Sequence, residues 1–539
     1  MAKTQKAMPF TNGAESAKRK FPSHLVANCF TLKCRTVLLA HGSKFPCTVG
    51  TRAHAPTAKS YPQNGKMQRR GFAQASAQAL KLNQYKFPLK AEKKAVEGAS
   101  LENGVRVATV EDFQSPVASL GVVLPCGPAS QQGRQEVGMA QFLKLQAFKS
   151  SHYRSTIRLT READLTGMSL SCTLLPDRTS LLLRVDCLRD DVPDSVQILA
   201  EAVDSIVRRD NEHWGVYSRE FVRKTADWKE SIRQLNAESE LVRASPSLFS
   251  AVVMDEVYKV AYNGQGLGMP MYPLVEDVDI QHLLGIYVPR QLRSEDMSVV
   301  GYGIGASSLK QLLSQSHFAN DAAGSSAAAT DGVKVYGGEY FSSMLTPNGD
   351  AHLMLAFPSV PSEAYYCALV LKNLLGNYGR PVVSYGSNGS GLLGQHVKGN
   401  VSAGVFVHEH PGRSSAMLGL YVQGGESVKV SEALKVAVQQ LKSAKDVKRE
   451  EFTAAVSQTK LQLASLQESF GTRILELHRQ LASDGKASTT DQLLERVSNV
   501  SQSDVKKLAE ALLKNASSGS VLVGFGDAYG GFARRSELF

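Results

Sequence analysis

The chain has 539 residues, more than a single hydrophobic core supports, and we therefore expect at least two domains. Its apolar content of 43% and its charged content of 21% are those of an ordinary globular protein. No apolar run reaches the roughly 18 residues that a transmembrane helix needs, because the best candidate, residues 24–40, contains Lys33 and Arg35.

The net charge of +11 is concentrated at one end of the chain. Residues 1–72 hold 13 Lys and Arg but one acid, Glu15, so this segment carries +12 and the remainder −1. Because the body is neutral, we expect no nucleic-acid partner. A basic, hydroxyl-rich segment is typical of a transit peptide, and Arg69-Arg70-Gly71-Phe72 resembles a mitochondrial matrix cleavage junction. We therefore predict a targeting leader over residues 1–72, disordered or cleaved, with a retained basic tail as the alternative.

The cysteines are seven in number and scattered, and no two of them form a Cys-x-x-Cys pair. This pattern predicts buried or free thiols rather than disulfides or a zinc site. The residues concerned are Cys29, Cys34, Cys47, Cys126, Cys172, Cys187 and Cys367.

Local patterns along the body predict both strands and helices. Short apolar runs predict strands at 105–110, 120–124 and 181–185. Apolar residues spaced three and four apart predict helices at 198–207 and 431–441, and a longer helical stretch at 446–481 with a break at Gly471. Segregated strands and helices favour an α+β fold with mostly antiparallel sheets.

Two pairs of similar stretches indicate an internal duplication. Ser298–Gly303 recurs as Val521–Gly526, and Ser119–Pro125 parallels His352–Pro358. The offsets of 223 and 233 residues are about the length of a domain. We therefore predict two homologous halves, each a mostly antiparallel sheet packed with helices.

The two halves are expected to be joined by a short linker. Residues 319–332 are rich in Ala, Gly and Ser, which is typical of a flexible connection. The predicted domains are residues 100–318 and residues 333–539.

Residues 137–150 read VGMAQFLKLQAFKS, the pattern of an amphipathic helix. Their frame resembles the metal-binding helix of the pitrilysin-type peptidases, whose inverted zinc signature is His-x-x-Glu-His. Five scaffold positions of that helix are retained, namely Gly138, Phe142, Leu143, Phe148 and Lys149.

The three positions that carry the chemistry in this family are changed. Gln141 and Leu145 stand where the two histidines are expected, and Lys144 stands in place of the glutamate base. Leu145 has no lone pair for a metal, while the Lys144 ammonium repels a dication and cannot take a proton from water. For the distal glutamate ligand, Glu220 is only a loose positional candidate. The resemblance therefore implies a degenerate metallopeptidase with no catalytic residues, no metal and no cofactor.

Further stretches resemble the core-protein branch of this family, whose members belong to mitochondrial ubiquinol–cytochrome c reductase, respiratory complex III. The stretches are Asp186–Val192, Tyr336–Glu339, Asn348–Asp350, Gly386–Asn388, the turn at Gly524, and Glu537–Leu538. The resemblance extends from about residue 100 to the C-terminus.

This resemblance implies a two-lobed bowl and a non-catalytic scaffold on the matrix side of the mitochondrial inner membrane. The implied partners are a core-protein-1-like or processing-peptidase β-like subunit, cytochrome b, cytochrome c1 and the iron–sulfur protein. Association with the membrane would then be peripheral and indirect, through the complex.

The family also includes the α subunit of the mitochondrial processing peptidase, which lacks a working site and presents a glycine-rich loop to presequences. In this chain a glycine cluster spans residues 376–394 and is interrupted by Arg380–Val383. Its members are Gly376, Gly379, Gly386, Gly389, Gly391 and Gly394. Two interpretations of this segment stay open: a loop that senses presequences, and a flexible surface loop without such a role. The alternative function is therefore that α subunit, or a subunit that serves both roles.

Two other motifs are predicted to be structural. Gly301–Gly305 resembles a dinucleotide-binding loop, but Ala306 stands at its sixth position and residues 524–526 repeat the turn, which favours a strand end. His408 and His410 share one face of a strand, but no third ligand accompanies them. The turn that follows at residues 411–412 favours an exposed hairpin end over a metal pair.

Overall fold

The computed structural model of the chain describes residues 96–112, 115–150, 153–207, 226–279, 282–316, 318, 334–376, 391–397, 401–411, 415–527 and 531–539. The predicted leader, 1–72, and the predicted linker, 319–332, lie outside these ranges, and their boundaries stay predictions. All described residues belong to one unit, residues 90–539.

The first sheet has six strands in the order β1-β2-β6-β3-β5-β4, of which only β2 and β6 pair in parallel. The strands are β1 (Val96–Ser100), β2 (Arg106–Val110), β3 (Val117–Leu124), β4 (Ser169–Leu174), β5 (Leu181–Leu188) and β6 (Ser298–Tyr302). The three predicted strands are confirmed as β2, β3 and β5.

The described residues of this half form seven α-helices. They are α1 (Met139–Gln146), α2 (Thr156–Thr166), α3 (Val192–Val207), α4 (Ala226–Ala244), α5 (Phe249–Ala261), α6 (Val288–Gln291) and α7 (Ala306–Ser314). A π-helical turn, Leu283–Tyr287, runs directly into α6. The helix predicted at 198–207 is confirmed as the later part of α3.

The second sheet has five strands in the order β7-β11-β8-β10-β9, and only β7 and β11 pair in parallel. The strands are β7 (Gly338–Ser342), β8 (Ala351–Pro361), β9 (Val401–Glu409), β10 (Ser415–Gly424) and β11 (Val521–Phe525). The helices are α8 (Tyr365–Leu375), α9 (Gly391–His396), α10 (Ser427–Ser443), α11 (Arg449–Leu466), α12 (Phe470–Asp484), α13 (Thr490–Ser498), α14 (Gln502–Lys514), α15 (Ala516–Gly519) and α16 (Arg535–Leu538).

The two sheets share one topology, which confirms the predicted α+β fold in two similar halves. The order β2-β6-β3-β5-β4 in the first sheet matches β7-β11-β8-β10-β9 in the second, with the parallel pair at the same place. The repeated stretches of the sequence are the equivalent strands β6 and β11, and β3 and β8. Even the turns agree: the Gly303 amide donates to the Val110 carbonyl at 2.9 Å, and the Gly526 amide to the Ser342 carbonyl at 3.1 Å.

Helix α12 begins before the predicted break at Gly471, which is therefore misplaced. The break falls between α11 and α12, where Ser469 has an extended backbone. Gly471 lies inside the first turn of α12, where a Cβ would collide with the Arg184 guanidinium. This glycine is thus needed for a close approach rather than for ending a helix.

Helix α5 comes from the first half of the sequence but packs on β7, β8 and β11 of the second sheet. Phe249, Val253 and Val257 are four residues apart, so they share one face, and they are fully buried with Val521 and Val523.

Helix α12 makes the reciprocal contact, from the second half onto β2, β3 and β6 of the first sheet. Ile474, Leu477 and Leu481 are buried there with Ala108 and Val300. Each large aliphatic side chain buried in this way contributes about 1.5–3 kcal/mol. The exchange of these two helices therefore binds the halves together. Within the described ranges, none of the helices has both the length and the hydropathy that a membrane span requires.

We expect acid to destabilise the packing of α12 on the first sheet through His478, a residue of this helix. Its Nδ1 lies 3.2 Å from Ser298 Oγ, and burial, together with Arg106, lowers the pKa of His478 from 6.5 to about 4. Between these pH values the unfolded chain binds a proton that the folded chain does not bind. The free energy of unfolding therefore falls as the pH falls through this window, by about 3 kcal/mol at the limit for this one side chain.

The urea-unfolding midpoint of the purified chain measures this effect. His478→Gln removes the titrating group and should reduce the loss of stability between about pH 7 and pH 4.5. The loss is reduced rather than abolished, because burial also lowers the pKa values of His352 and His408 to about 4. His396→Gln, at an exposed histidine of α9, is the matched control. Identical pH profiles for the two variants would contradict the assignment.

Candidate functional site

Helix α1 carries the positions of the zinc signature and packs against β4 and α4. It begins after Gly138, whose φ of +91° is left-handed and whose Cβ, if present, would lie 2.7 Å from Val275 Cγ1. Phe142 is fully buried, and its ring centroid lies 4.2 Å from that of Trp228 in α4. These scaffold residues therefore hold the helix in the core of the first half.

Gln141 has a structural role at the position of the first histidine. Its side chain is 7% exposed, and its Nε2 donates hydrogen bonds to the carbonyls of Pro270 at 3.0 Å and Met271 at 2.9 Å. A buried amide needs such partners, because each unpaired polar group costs about 1–3 kcal/mol. Gln141 thus ties α1 to the segment that follows α5.

Lys144 and Leu145 are also occupied by contacts within the protein. Lys144 Nζ lies 2.6 Å from Glu238 Oε2 in α4, and since both side chains are partly exposed, this pair contributes less than about 1 kcal/mol. Leu145 belongs to the hydrophobic core of the first half. All three degenerate positions therefore face neighbouring elements, with no arrangement suited to a metal.

The described residues contain no group of three or more His, Cys, Asp or Glu side chains placed to hold a metal ion. Glu220, the candidate for the distal ligand, lies outside the described ranges.

The glycine cluster is described only at its ends. Gly376 follows α8 with a φ of +137°, and its carbonyl accepts a hydrogen bond of 2.7 Å from the Val405 amide. Gly391 opens α9 with a φ of +73°, and a Cβ there would lie 2.6 Å from the Leu374 carbonyl oxygen. Gly394 is buried in α9. Both ends of the segment therefore meet at the C-terminus of α8, while Gly379, Gly386 and Gly389 lie outside the described ranges.

The turn at Gly301–Gly305 lies at the end of β6 and leads into α7. Gly303 has a φ of +79°, and a Cβ there would lie 2.8 Å from the Val117 carbonyl oxygen. The glycine is required by this close approach of two backbones, which agrees with the predicted strand-end turn.

The prediction of an exposed hairpin end at His408–His410 is wrong. His410 is fully buried, and Tyr258 Oη of α5 lies 3.3 Å from His408 Nδ1 and 3.0 Å from His410 Nε2. Both rings do lie on one side of β9, as the alternation predicts. Glu409 faces the other side, where its Oε2 accepts a hydrogen bond of 2.7 Å from Arg479 Nη1 of α12. We call Tyr258, His408, Glu409, His410 and Arg479 the interlock, because together they hold both exchanged helices.

Two hydrogen-bonding groups on the α5 side of the interlock, His408 and Tyr258, are neutral at neutral pH. Burial, with the nearby charges of Lys372 and Arg178, lowers the pKa of His408 to about 4. Burial also raises the pKa of the Tyr258 hydroxyl well above its usual range. A neutral imidazole and a neutral phenol can share a hydrogen bond without the cost of a buried charge.

Arg178 connects the interlock to the first sheet. It lies at the tip of the β4–β5 hairpin with a left-handed φ of +66°, and it is 3% exposed. Its guanidinium pairs with Asp255 of α5, donates to the Met269 carbonyl at 2.9 Å, and lies 4.3 Å from the centroid of the Tyr258 ring. Residues from both halves are thereby held at one point.

The same network reaches the degenerate helix. Asp255 Oδ1 accepts a hydrogen bond of 2.9 Å from the Met271 amide, and the Met271 carbonyl accepts one from Gln141. A continuous series of contacts therefore runs from Gln141 through Asp255 and Arg178 to Tyr258.

A cavity of about 280 Å³ lies beside this network, between α5 and the second sheet. Its walls combine side chains from the hairpin tip, from α5, from the segment at 271–272 and from β8, β9 and β10. No motif in the sequence indicates it, because the lining residues come from segments far apart in the chain.

Comparison with known proteins places these features in a family context. Residues 106–272, which include α1, match the model of the insulinase family, peptidase family M16. Cytochrome b-c1 complex subunit 2, mitochondrial, of Neurospora crassa is 25% identical over 430 residues, 78% of this chain and 87% of the relative. The β subunit of the mitochondrial processing peptidase of Lentinula edodes is 24% identical, over 77% of this chain and 87% of the relative. Subunit alpha-2 of that peptidase from Dictyostelium discoideum is 22% identical, over 78% and 90%.

These matches confirm the resemblance that the sequence predicts, to core protein 2 and to the pitrilysin-type family. The similarity covers both halves of the chain, whereas the matched family model covers only the half with the degenerate helix.

We expect unequal roles for two arginines that both contact Tyr366, namely Arg479 of the interlock and Arg496 of α13. Arg479 lies between the buried carboxylates of Glu409 and Glu476, so Arg479→Met leaves two acids without a counter-charge and should cost about 3–5 kcal/mol of stability. Arg496 pairs with the more exposed Asp484, and Arg496→Met should cost less than about 1 kcal/mol. Urea unfolding of both variants at neutral pH measures the difference, and equal losses would contradict the assignment.

The degenerate helix predicts that the purified chain binds no stoichiometric zinc at residues 141–145. The reason is that the side-chain oxygen of Gln141 is the one potential ligand among the three degenerate positions, and the Gln141 amide is already held in place by two hydrogen bonds from its Nε2. Metal analysis after equilibrium dialysis against zinc provides the measurement, with Gln141→Ala as the matched variant. One zinc per chain in the natural protein, lost in Gln141→Ala, would refute this prediction.

Proposed function

We propose that this chain is a non-catalytic core subunit of mitochondrial ubiquinol–cytochrome c reductase and that it supports the assembly and stability of the complex. The observation that carries the proposal is the combination of a degenerate zinc helix with similarity, over most of the chain, to a relative named as subunit 2 of the cytochrome b-c1 complex.

The absence of peptidase activity is part of the proposal. Gln141, Lys144 and Leu145 are bound into structural contacts, so the helix offers neither a metal ligand nor a base. The fold around these positions is retained, which leaves surfaces rather than a reaction centre as the means by which the chain acts.

The proposed partners follow from the relatives. A β-type subunit is the expected neighbour, either a core-protein-1-like chain or a processing-peptidase β-like chain, since subunits of both kinds of assembly resemble this one. Cytochrome b, cytochrome c1 and the iron–sulfur protein complete the proposed assembly. The proposed location is the matrix side of the mitochondrial inner membrane, with indirect attachment through these subunits.

Co-purification tests the proposal. A tagged full-length chain, recovered from mitochondria in a mild detergent, should bring with it a β-type chain and the haem absorbance of cytochromes b and c1. Recovery without either haem would contradict the proposal. A β-type partner with an intact His-x-x-Glu-His and no haem would instead support the alternative, the α subunit of the processing peptidase.

A deletion within the glycine cluster distinguishes the proposed scaffold function from the alternative, the α subunit of the processing peptidase. Deleting residues 380–389 should leave presequence cleavage by the purified heterodimer unchanged if the chain is only a scaffold. A large loss of cleavage, with assembly of the heterodimer intact, would show that the cluster serves presequence recognition.

A further inference from the structure

We propose that the cavity between α5 and the second sheet is a binding site for an uncharged aromatic molecule of about two fused rings that carries one hydrogen-bonding group. The site differs from the degenerate zinc helix and plays no part in the scaffold function proposed above. Four features of the cavity point to such a ligand: its size, its walls, its charge and the Nε2 of His408.

The volume sets the size of the ligand. The cavity measures about 280 Å³. A buried apolar cavity of about 150 Å³ holds one benzene, so a cavity of this volume has room for a ligand roughly twice the size of benzene. An apolar ligand that displaces poorly ordered water from these walls gains affinity, which makes its binding favourable.

The walls favour an aromatic ligand. Met254 of α5, Met271 and Met354 of β8 line the cavity together with Phe406 of β9 and Tyr421 of β10. Thioether sulfurs make favourable contacts with aromatic rings, and unbranched methionine side chains adapt to the shape of a ligand. Phe406 and Tyr421 add ring surfaces for stacked or edge contacts.

The charges in the cavity favour an uncharged ligand. Arg178 and Asp255 both line it, but they pair with each other. An anionic ligand would compete with Asp255 for the guanidinium, and a cationic ligand would compete with Arg178 for the carboxylate. His408 is neutral at pH 7, because burial lowers its pKa to about 4. A charged ligand therefore finds no uncompensated partner.

His408 supplies the polar contact. Its Nδ1 lies 3.3 Å from Tyr258 Oη, while its Nε2 has no hydrogen-bond partner among the residues that the structure describes. The single Tyr258 proton is shared between two histidines, so either tautomer of His408 is compatible with the network. A phenolic hydroxyl both donates and accepts, and therefore satisfies His408 Nε2 in either state.

Three probes of one size and different charge test the proposal on the purified full chain: 2-naphthol, 2-naphthoate and 2-naphthylmethylammonium. Calorimetric titration at neutral pH should show one saturable site for 2-naphthol with a Kd of about 100 μM or tighter. Both ions should bind at least about tenfold more weakly. Equal binding of all three probes, or no saturation by 2-naphthol, would overturn the proposal.

Variants locate the site. Ala251→Phe fills the cavity from α5 and Met354→Trp fills it from β8, so each should weaken 2-naphthol binding at least about tenfold. Lys259→Phe adds the same side chain at an exposed position of α5 and should leave the Kd unchanged within about twofold. Circular dichroism shows whether each variant has folded. If one filling variant has not folded, 2-naphthol binding to the other filling variant is the test. Undiminished binding in a folded filling variant would refute the site.

His408→Phe tests the polar contact separately. This variant should weaken 2-naphthol binding while leaving naphthalene, which has no hydroxyl, nearly unaffected. Equal losses for both ligands would show that the hydrogen bond to His408 is not part of the site.

Discussion

The fold depends on the exchange of two helices between its halves. Each sheet has one face covered by helices of its own half, and its other face requires cover because strands such as β3 and β8 are buried along almost their whole length. The cover comes from α5 on the second sheet and from α12 on the first. Neither half can therefore bury both faces of its sheet alone. The interlock lies at the point where one strand, β9, reaches both helices, through His408 and His410 on one side and Glu409 on the other.

This arrangement joins nonpolar burial with directional polar contacts. The apolar faces of the helices supply most of the free energy, since hydrophobic burial scales with area and has no preferred direction. The buried hydrogen bonds and the Arg479 ion pairs fix the register, because a helix displaced along the sheet would leave Glu409 and Glu476 buried without a partner. Arg178 extends this control to the first sheet through Asp255 and Tyr258.

The sequence predicts those parts of the fold that repeat or follow a short period. Strands β3, β5 and β6 are apolar runs, and β11 repeats β6 closely enough for the duplication to be found without a structure. Partners brought together only by the tertiary fold are not predictable in this way. His408 and His410 contact Tyr258, about 150 residues earlier in the chain. Because the local sequence shows only two histidines before a turn, it predicts that they are exposed. Nothing local in the sequence indicates that Arg178 is buried between the halves.

The site at residues 141–145 could likewise be predicted from the sequence only in part. Residue chemistry alone decides that Leu145 cannot bind a metal and that Lys144 cannot act as a base. It cannot show what the changed residues do instead, because the partners of Gln141 are main-chain carbonyls about 130 residues away.

Nonpolar burial rather than polar contact holds α1 in place. The two hydrogen bonds of Gln141 and the partly exposed ion pair of Lys144 together contribute only a few kcal/mol. These polar contacts alone are too weak to hold the helix against its neighbours. Burial of Phe142, Leu143 and Leu145 must therefore supply most of the free energy that docks α1. The scaffold residues Gly138, Phe142 and Leu143 therefore have a structural role that does not depend on a metal, and this role is compatible with a recognisable signature frame around Gln141, Lys144 and Leu145.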